Sequence, residues 1–587
     1  MEYQLKTSLL PLQQLTELSA VERVFANRGI APNILDHYIN ASLDDMLDPA
    51  SIKNMEEGVK LLIRHIAAND KIFIQVDSDC DGYTSAALLL NYLHDLFPAF
   101  IENNVSYRLH EGKQHGIIFE TVPEDVKLVI APDSSSNDYL PHQWLSERGC
   151  DVLVIDHHEA EKYSKHAVVI NNQMCDYPNK SLSGVGMVLK FCQYIDKLLN
   201  KDYSYNYYDL AAFGIIADVM ELKNLETRAI IKYGLKQVNN KLFREICKIQ
   251  EYSIIRGGGL SPFTVGWYIS PLVNAVTRCG TPQEKILFFE AMLDWQANEE
   301  IPSTKRGCKG QIESKVEQAC RNARNIKAKQ DKQRDEGVKY IENIIKEKDL
   351  TNNKIIAVKL PSGKVNKNFT GLIANQLLTE YKHPILLLNE VKRGDGTLCW
   401  EGSARAYECD GIENFREYLK NNSYVYLSEG HAFAFGIGLT DEGFSNFIKE
   451  TNEELSNCTF APSHIVDFIW DENEVNPKDV LDIAKYNSIW GQGVEQPEIL
   501  IKDIIITKDN IKLLSPDKSP TIKIILKNGV ECIKYFSSKE EFQKILPDIG
   551  KVSLLTLVGT CSINEFGGKT TPQITIKDYE FKQQYYF

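Results

Sequence analysis

Carboxylates gather at the ends of three apolar runs. KIFIQV (71–76) leads into Asp77-Ser-Asp79-Cys-Asp81-Gly82, KLVIAP (127–132) into Asp133, and DVLVID (151–156) closes on Asp156-His157-His158. In extended chain alternate residues point the same way, so Asp77, Asp79 and Asp81 can be aimed at one point. Gly82 then permits a tight entry into a following helix. That many like charges repel unless cations neutralise them. Oxygen-rich ligation with one or two imidazoles suits Mn2+ or Mg2+ better than Zn2+. Two such ions, bridged by a carboxylate, can generate a hydroxide and clamp both oxygens of an in-line phosphoryl displacement, so the chemistry implied is phosphoester hydrolysis. Plainer readings exist for each piece. A calcium loop beginning at Asp77 needs a glutamate at its twelfth position, which is Leu88. A single acid after a strand often caps a helix, and paired histidines often sit on surfaces. Their joint occurrence at successive strand ends favours the metal site.

The elements that must position these groups alternate in type. Helical patterns at 55–68, 83–96 and 140–148 interleave with the three Val/Ile/Leu-rich strands, which predicts a parallel sheet covered on both faces. Such sheets bind ligands at the carboxyl ends of their strands, where the acids lie. Residues 303–334 read as a polar helix rich in Lys and Arg, Lys309, Arg321 and Arg334 among them, fit either to line a phosphate groove or to serve as a solvated linker. A second α/β unit follows over about 350–455, with strands at IIAVKL (355–360) and PILLLN (384–389). Beyond about 460 short strands dominate, at 499–507, 521–527, 553–563 and 573–579, with one helical piece at 538–546. This pattern suits a small OB-like β-barrel.

With 587 residues, the chain is too long for one core. The net charge of −14 argues against a whole-surface polyanion binder but not against a local basic groove. Thirteen cysteines are scattered without zinc-ligand spacing (Cys399 and Cys409 are ten residues apart), so most read as small core residues. No apolar run is long enough to span a membrane and no export signal is visible, so a cytoplasmic protein is expected.

D-x-D-x-D-G after a strand, a second acid-ending strand and a literal Asp-His-His after a third resemble the DHH phosphoesterases. Ala-Asp218-Val within DLAAFGIIADVMEL supplies the fourth motif, and LSGVGMVLK (182–190) resembles the stretch before it. ISPLVNAVTRCG (269–280), NFTGLIANQLLTEYKHPILLL (368–388), GSARA (402–406), EGHAFAFGIGL (429–439), WGQGVEQPEIL (490–500) and LVGTCSINEFGGKTTPQITIKD (557–578) extend the resemblance, specifically to RecJ-type exonucleases, from about residue 50 to the end. The fold implied is α/β: a parallel-sheet DHH domain and a smaller α/β DHHA1 domain joined by a long helix, then an OB-like barrel. The expected boundaries are an N-terminal extension 1–48 (with Pro11 and no assigned chemistry), a DHH domain 49–302, a connecting helix 303–350, a DHHA1 substrate-binding domain 351–458 and an OB-like nucleic-acid-binding domain 459–587.

Carried over residue by residue, the resemblance makes Asp79, Asp81, Asp133, His157 and Asp218 ligands of two Mn2+ or Mg2+ ions, with Asp133 as bridge. Asp77 is a further ligand or an outer acceptor. His158 faces the scissile phosphate, and Asp156 orients an imidazole. Arg278, Ser403, Arg405, Gly430 and His431 hold the substrate. Pro-Asp133-Ser-Ser-Ser, Gln75 and Glu429 depart from the family pattern, and either Arg108 or His110 stands where the family has a phosphate-binding arginine.

The activity implied is a metal-dependent single-strand DNA exonuclease, 5′ to 3′, releasing 5′-mononucleotides in DNA repair or recombination, the strand threading between the two α/β domains. Single-stranded DNA is the expected partner, a single-strand-binding protein or helicase is left open, no membrane is involved and a monomer is expected. Two alternatives stand beside it: a DHH phosphodiesterase for short oligonucleotides or dinucleotides, and a non-catalytic replication adaptor that keeps the fold. The last 120 or so residues argue against the first, and the retained ligands against the second. The barrel also admits a protein partner, for which Phe566 and the loop at Lys569 offer thin support.

Overall fold

Strand β1 (Ile72–Val76) is buried along its whole length, and four strands join it: β2 (Val105–Leu109), β3 (Leu128–Pro132), β4 (Asp151–Asp156) and β5 (Val168–Asn171). All pairings are parallel, in the order β2-β1-β3-β4-β5. Alternate residues enter two different cores. Ile72, Ile74, Val76, Leu128, Ile130, Leu153 and Ile155 face one, while Phe73, Val129, Ala131, Val152 and Val154 face the other. Burial on both faces explains the unbroken apolar runs. The two strands the sequence did not reveal are the edges: VSYRL alternates only loosely, and VVIN is four residues long. In this computed structural model the described residues are 2–6, 17–112, 114–308, 310–393, 396–407, 412–460, 463–548, 551–566 and 568–585. Pro11, Lys309 and Cys409 lie outside them, as does the side chain of Phe566.

Helix α1 (Met55–Ala67) and helix α2 (Cys80–Leu96) flank β1 in sequence. Every residue of α2 from Cys80 to Leu93 is buried, so this helix runs through the core. Helices α3 (Gly184–Leu199) and α4 (Tyr208–Ala217) pack against it. The expected helix over 303–334 starts later. Residues Glu300–Pro302 and Ile312–Ser314 pair as an antiparallel hairpin, and α5 runs from Lys315 to Glu347. Gly307 and Gly310, both with positive φ, turn the chain between those strands. Several of its bases have acidic partners, Arg321 with Glu313 and Arg334 with Asp331 and Asp335, so the segment is less cationic than its composition suggests.

The chain divides into two compact units, one of Thr7–Lys327, Asp467–Lys577 and Phe581–Phe587, the other of Met1–Lys6, Ala328–Val466 and Asp578–Glu580. The smaller unit holds a five-stranded sheet of β6 (Ile356–Leu360), β7 (Ile385–Lys392), β8 (Leu398–Arg405), β9 (Val425–His431) and β10 (Ala434–Thr440). Its order is β9-β10-β8-β7-β6, parallel between β6 and β7 and antiparallel elsewhere. Helix α6 (Thr370–Tyr381) connects the parallel pair.

The strand-rich C-terminal part forms a seven-stranded sheet: β11 (Phe468–Asp471), β12 (Glu498–Ile506), β13 (Ile511–Leu514), β14 (Thr521–Ile525), β15 (Glu531–Lys534), β16 (Lys551–Phe566) and β17 (Lys569–Tyr585). The order β11-β12-β16-β17-β15-β14-β13 has two ends, so among the described residues the expected barrel does not close. The N-terminal extension ties this sheet to the parallel-sheet part of its unit. Arg28 forms an ion pair with Asp467 at 2.7 Å, both side chains 1% exposed, and donates to the Glu495 carbonyl at 2.6 Å. Phe25 packs on Trp490 with ring centroids 5.0 Å apart, and the Tyr38 hydroxyl donates to the Leu222 carbonyl at 2.9 Å.

Candidate metal centre

The chain leaves β1 through Asp77 and enters α2 at Asp79, whose carboxylate caps the helix by accepting the Gly82 N–H at 2.9 Å. A Cβ on Gly82 would stand 2.6 Å from that of Asp77, so the turn requires glycine. Asp81, inside the first turn, reaches the N-terminus of α3. It accepts from the Ser183 hydroxyl at 2.8 Å and from the backbone of Gly184 at 2.7 Å and Val185 at 3.1 Å. Helix N-termini favour such an anion.

Asp133 leaves β3 in the left-handed region, φ +68°, anchored by its own N–H donating to Ile155 at 2.8 Å. Its Oδ1 is buried and receives no hydrogen bond. His157 Nε2, at the end of β4, lies 3.2 Å from that oxygen, 3.5 Å from Asp218 Oδ2 and 3.8 Å from Asp81 Oδ2. Asp218 is the C-cap of α4. Four elements thus bring one imidazole nitrogen and three carboxylates together. Ligand atoms of Asp81, His157 and Asp218 all lie within 4.8 Å of one another, as do those of Asp133, Asp156, His157 and His158.

Asp156 itself is committed elsewhere. It is fully buried and accepts the N–H groups of Ser136, His157 and His158 at 3.0, 2.7 and 3.2 Å, and the His158 ring at 2.7 Å. Burial opposes its ionisation, but the hydrogen bond and charge of His158 prevail and bring its pKa down to about 2. The same hydrogen bond lifts His158 to about 9 against the cost of burial. His158 is therefore a cation whose half-exposed ring stands beside the carboxylate cluster.

The cluster resists ionisation without a counter-ion. Burial, then the charges of Asp81, Asp79 and Asp156, push Asp133 well above the carboxylate range. Burial followed by Asp81 and Asp79 takes Asp218 to about 8, and burial followed by Asp81 takes Asp79 to about 6. Burial also keeps His157 neutral, the form that ligates metals. A hydrogen-bond-free buried oxygen, carboxylates that cannot all be charged alone and a neutral imidazole form a donor set that fits one or two hard divalent cations.

Asp77, expected as a possible sixth ligand, is already paired: His110 Nδ1 lies 2.9 Å away and His115 Nδ1 also hydrogen-bonds it. Burial opposes its ionisation, yet these two histidines hold it below the carboxylate range. His110 spends its other nitrogen on the Gly116 carbonyl at 2.7 Å, so of the two phosphate-contact candidates only Arg108 retains free donors, with its Nη1 buried and unpartnered. The sequence reading missed His110 and His115 as partners of Asp77, because nothing in RLHEGKQHG shows that the loop folds back onto β1. It also missed that LSGVG carries the helix terminus that holds Asp81.

Of the expected substrate-binding residues, Arg278 is exposed on helix Ser270–Cys279. In the smaller unit Ser403 and Arg405 point the same way from β8. Ser403 Oγ is 2.9 Å from Thr370 Oγ1, and a Cβ on Gly371 would stand 2.8 Å from Arg405 Nη2. This makes a polar cradle at the start of α6. Gly430, φ +129°, and the exposed His431 end β9 in the same unit.

Comparisons with known proteins agree with this architecture. The model of the DHH family N-terminal domain matches residues 71–215, and that of the RecJ OB domain matches residues 466–578. The SPbeta prophage protein YorK of Bacillus subtilis (strain 168), named as a single-strand DNA-specific exonuclease, is 36% identical over 562 residues, 95% of each chain. The single-stranded-DNA-specific exonuclease RecJ of the same organism is 26% identical, covering 91% of this chain and 64% of the relative. RecJ from Thermus thermophilus, solved in complex with Mn2+, superposes with a TM-score of 0.71 at 19% identity, over 98% of this chain and 78% of that one. The fold, the order of the carboxylate motifs and the near full-length similarity to YorK together place this chain in the RecJ/YorK family of DHH-domain proteins.

Proposed function

We propose that this protein is a two-metal-ion exonuclease that hydrolyses the phosphodiester bonds of single-stranded DNA, advancing 5′ to 3′ and releasing 5′-mononucleotides. The convergence of Asp81, Asp133, His157 and Asp218 on one point carries this reading, and the 36% identity to YorK over 95% of both chains supports it. Bound there, Mn2+ or Mg2+ supplies Lewis-acid charge for the phosphate and lowers the pKa of water. Asp79, Asp81, Asp133, His157 and Asp218 are the ligands in this reading. Asp133, whose buried Oδ1 lies 3.2 Å from His157 Nε2, would be the carboxylate shared by the two ions.

The chain's own groups supply the rest. His158, protonated and held by Asp156, presents its free nitrogen to the scissile phosphate, where a fixed cation stabilises charge that grows in the transition state. The Asp77–His110–His115 cluster keeps the entry to α2 in register with the ligands. Ser403 and Arg405, with Gly430 and His431, serve as phosphate contacts, a role suited to hydroxyl, guanidinium and glycine backbone. The same reading has a monomer at work in the cytoplasm on strands opened by a helicase or covered by a single-strand-binding protein. Among the described residues no helix is long and apolar enough to cross a membrane.

The test is incubation with Mn2+ and end-labelled single strands, beside duplex DNA and a dinucleotide, with Asp133→Ala as control. Stepwise mononucleotide release from the 5′ end of single strands, lost in the variant, is the expected result. Cleavage of the dinucleotide with long strands untouched would instead assign the small-substrate activity.

A further inference from the structure

A groove of about 330 Å³ opens in the larger unit along the turn that carries Asp218, with Ile216 and Val219 on either side of that residue lining it. One wall is the turn after α4, where Val219 and Met220 follow Asp218; the other carries Phe263 and Trp267. Val219 bears two penalties at once. It is β-branched with φ +57°, a conformation such residues avoid, and it is 61% exposed. Strain and exposure of this kind concentrate where a ligand binds. Trp267 is 68% exposed and Phe263 is 41% exposed, with ring centroids 5.9 Å apart. Trp267 sits on a π-helical turn, Val265–Ile269, a local distortion that recurs at functional sites.

The groove is built rather than incidental. Its floor is Trp490, 3% exposed and braced by Arg28 and Phe25. The Leu222 N–H donates to the Gln492 carbonyl at 2.9 Å, and a Cβ on Gly491 would stand 2.4 Å from Leu222 Cδ1. Its rim offers the amide of Gln492 and the amide oxygen of Gln496, whose Nε2 donates to Asn487 Oδ1 at 3.3 Å, and Glu495 is the single charged side chain among its lining residues. With no cation present, the groove does not suit a phosphate. Apolar walls, an open aromatic face and amide-bearing edges suit a flat, neutral, hydrogen-bonding ring.

We propose that this groove is a stacking site for one unpaired nucleobase of the strand held at the metal centre, with Trp267 as the platform and Val219 as the opposing buttress. The proposal rests on the single-strand nuclease reading above. Continuity with the metal centre identifies the occupant. Val219 is one residue from Asp218, so a strand with its phosphate at the ligands has a neighbouring base within reach.

The experiment compares the full chain with its Trp267→Ala and Trp267→Phe variants in Mn2+, on oligonucleotides carrying one abasic residue at successive positions. Trp267→Ala should raise KM for single strands roughly five- to a hundred-fold, with Trp267→Phe recovering most of the loss. One abasic position should reproduce the loss in the parent protein and add nothing in Trp267→Ala. If Trp267→Ala keeps the parental KM, or if no abasic position removes the difference, the proposal is overturned and a protein partner's apolar side chain becomes the better occupant. A parent protein that leaves single strands intact would instead sink the nuclease reading. Quenching of Trp267 fluorescence by an oligonucleotide, the difference between the parent and Trp267→Phe, then still decides the stacking site.

Discussion

The backbone of Gly184 runs directly against the carboxylate of Asp133: a Cβ there would stand 2.2 Å from Oδ1 and 2.3 Å from the Asp133 Cβ. The start of α3 thus does two things. Its N–H groups hold Asp81, and its lack of a side chain leaves room for Asp133. Gly184→Ala should fold, since α3 otherwise keeps its apolar face, yet displace Asp133. A shift of that size is expected to lower activity at least about 100-fold. Circular dichroism beside a single-strand degradation assay checks it, and unchanged activity would refute the assignment.

Asp133 is buried among like charges, so its replacement separates stability from function. Asp133→Asn should raise the stability of the chelator-treated protein by on the order of 1 kcal/mol while abolishing activity. Mn2+ should raise the Tm of the parent protein by binding the folded state and have much less effect on the variant. Melting curves with chelator and with Mn2+ give both comparisons.

Asp156 acts through His158. Asp156→Ala leaves three N–H groups and one ring nitrogen without their acceptor, and activity should fall about 10–100-fold. In the metal-free protein the His158 pKa should drop from about 9 toward its ordinary value, which NMR titration would detect. An unchanged titration would remove Asp156 from this role.

The clasp between Arg28 and Asp467 should matter first for stability. Arg28→Met leaves a buried carboxylate unpaired and is expected to cost about 3–5 kcal/mol. The double variant Arg28→Met/Asp467→Leu should recover much of that loss. Denaturant unfolding of the two variants measures the difference, and equal losses would mean that packing, not charge, dominates the contact.

Asp294 gives a pH signature away from the metal centre. Burial, then the charge of Asp209, raises its pKa to about 7, against about 4 in the unfolded chain. The folded state binds the extra proton, so its contribution is full below about pH 4 and is lost as pH rises through 7. Asp294→Asn, neutral throughout, should therefore gain stability over the parent between pH 5 and pH 8, by on the order of 1 kcal/mol. A constant Tm difference across that range would contradict the assignment.

Local features of the chain sufficed for the three central strands, the acids at their ends and the family. Continuous Val/Ile/Leu runs announce a strand buried on both faces, and an acid after such a run lands at the ligand-binding edge whatever the rest of the chain does. Asp79, Asp81, Asp133 and His157 could be placed at that edge in this way, whereas Asp218, the C-cap of α4, was legible only through the family resemblance. What each group is bound to came from long-range packing alone. Asp77 lies in the same run of acids as Asp81, but a loop 33 and 38 residues further on neutralises one with His110 and His115, while the start of α3, 102 to 104 residues on, holds the other. The edge strands β2 and β5, the late start of α5 and the open C-terminal sheet were hidden for a related reason. Edges, hairpins and sheet closure depend on which distant segment supplies the next hydrogen-bond partner, and no periodicity within a short window encodes that choice.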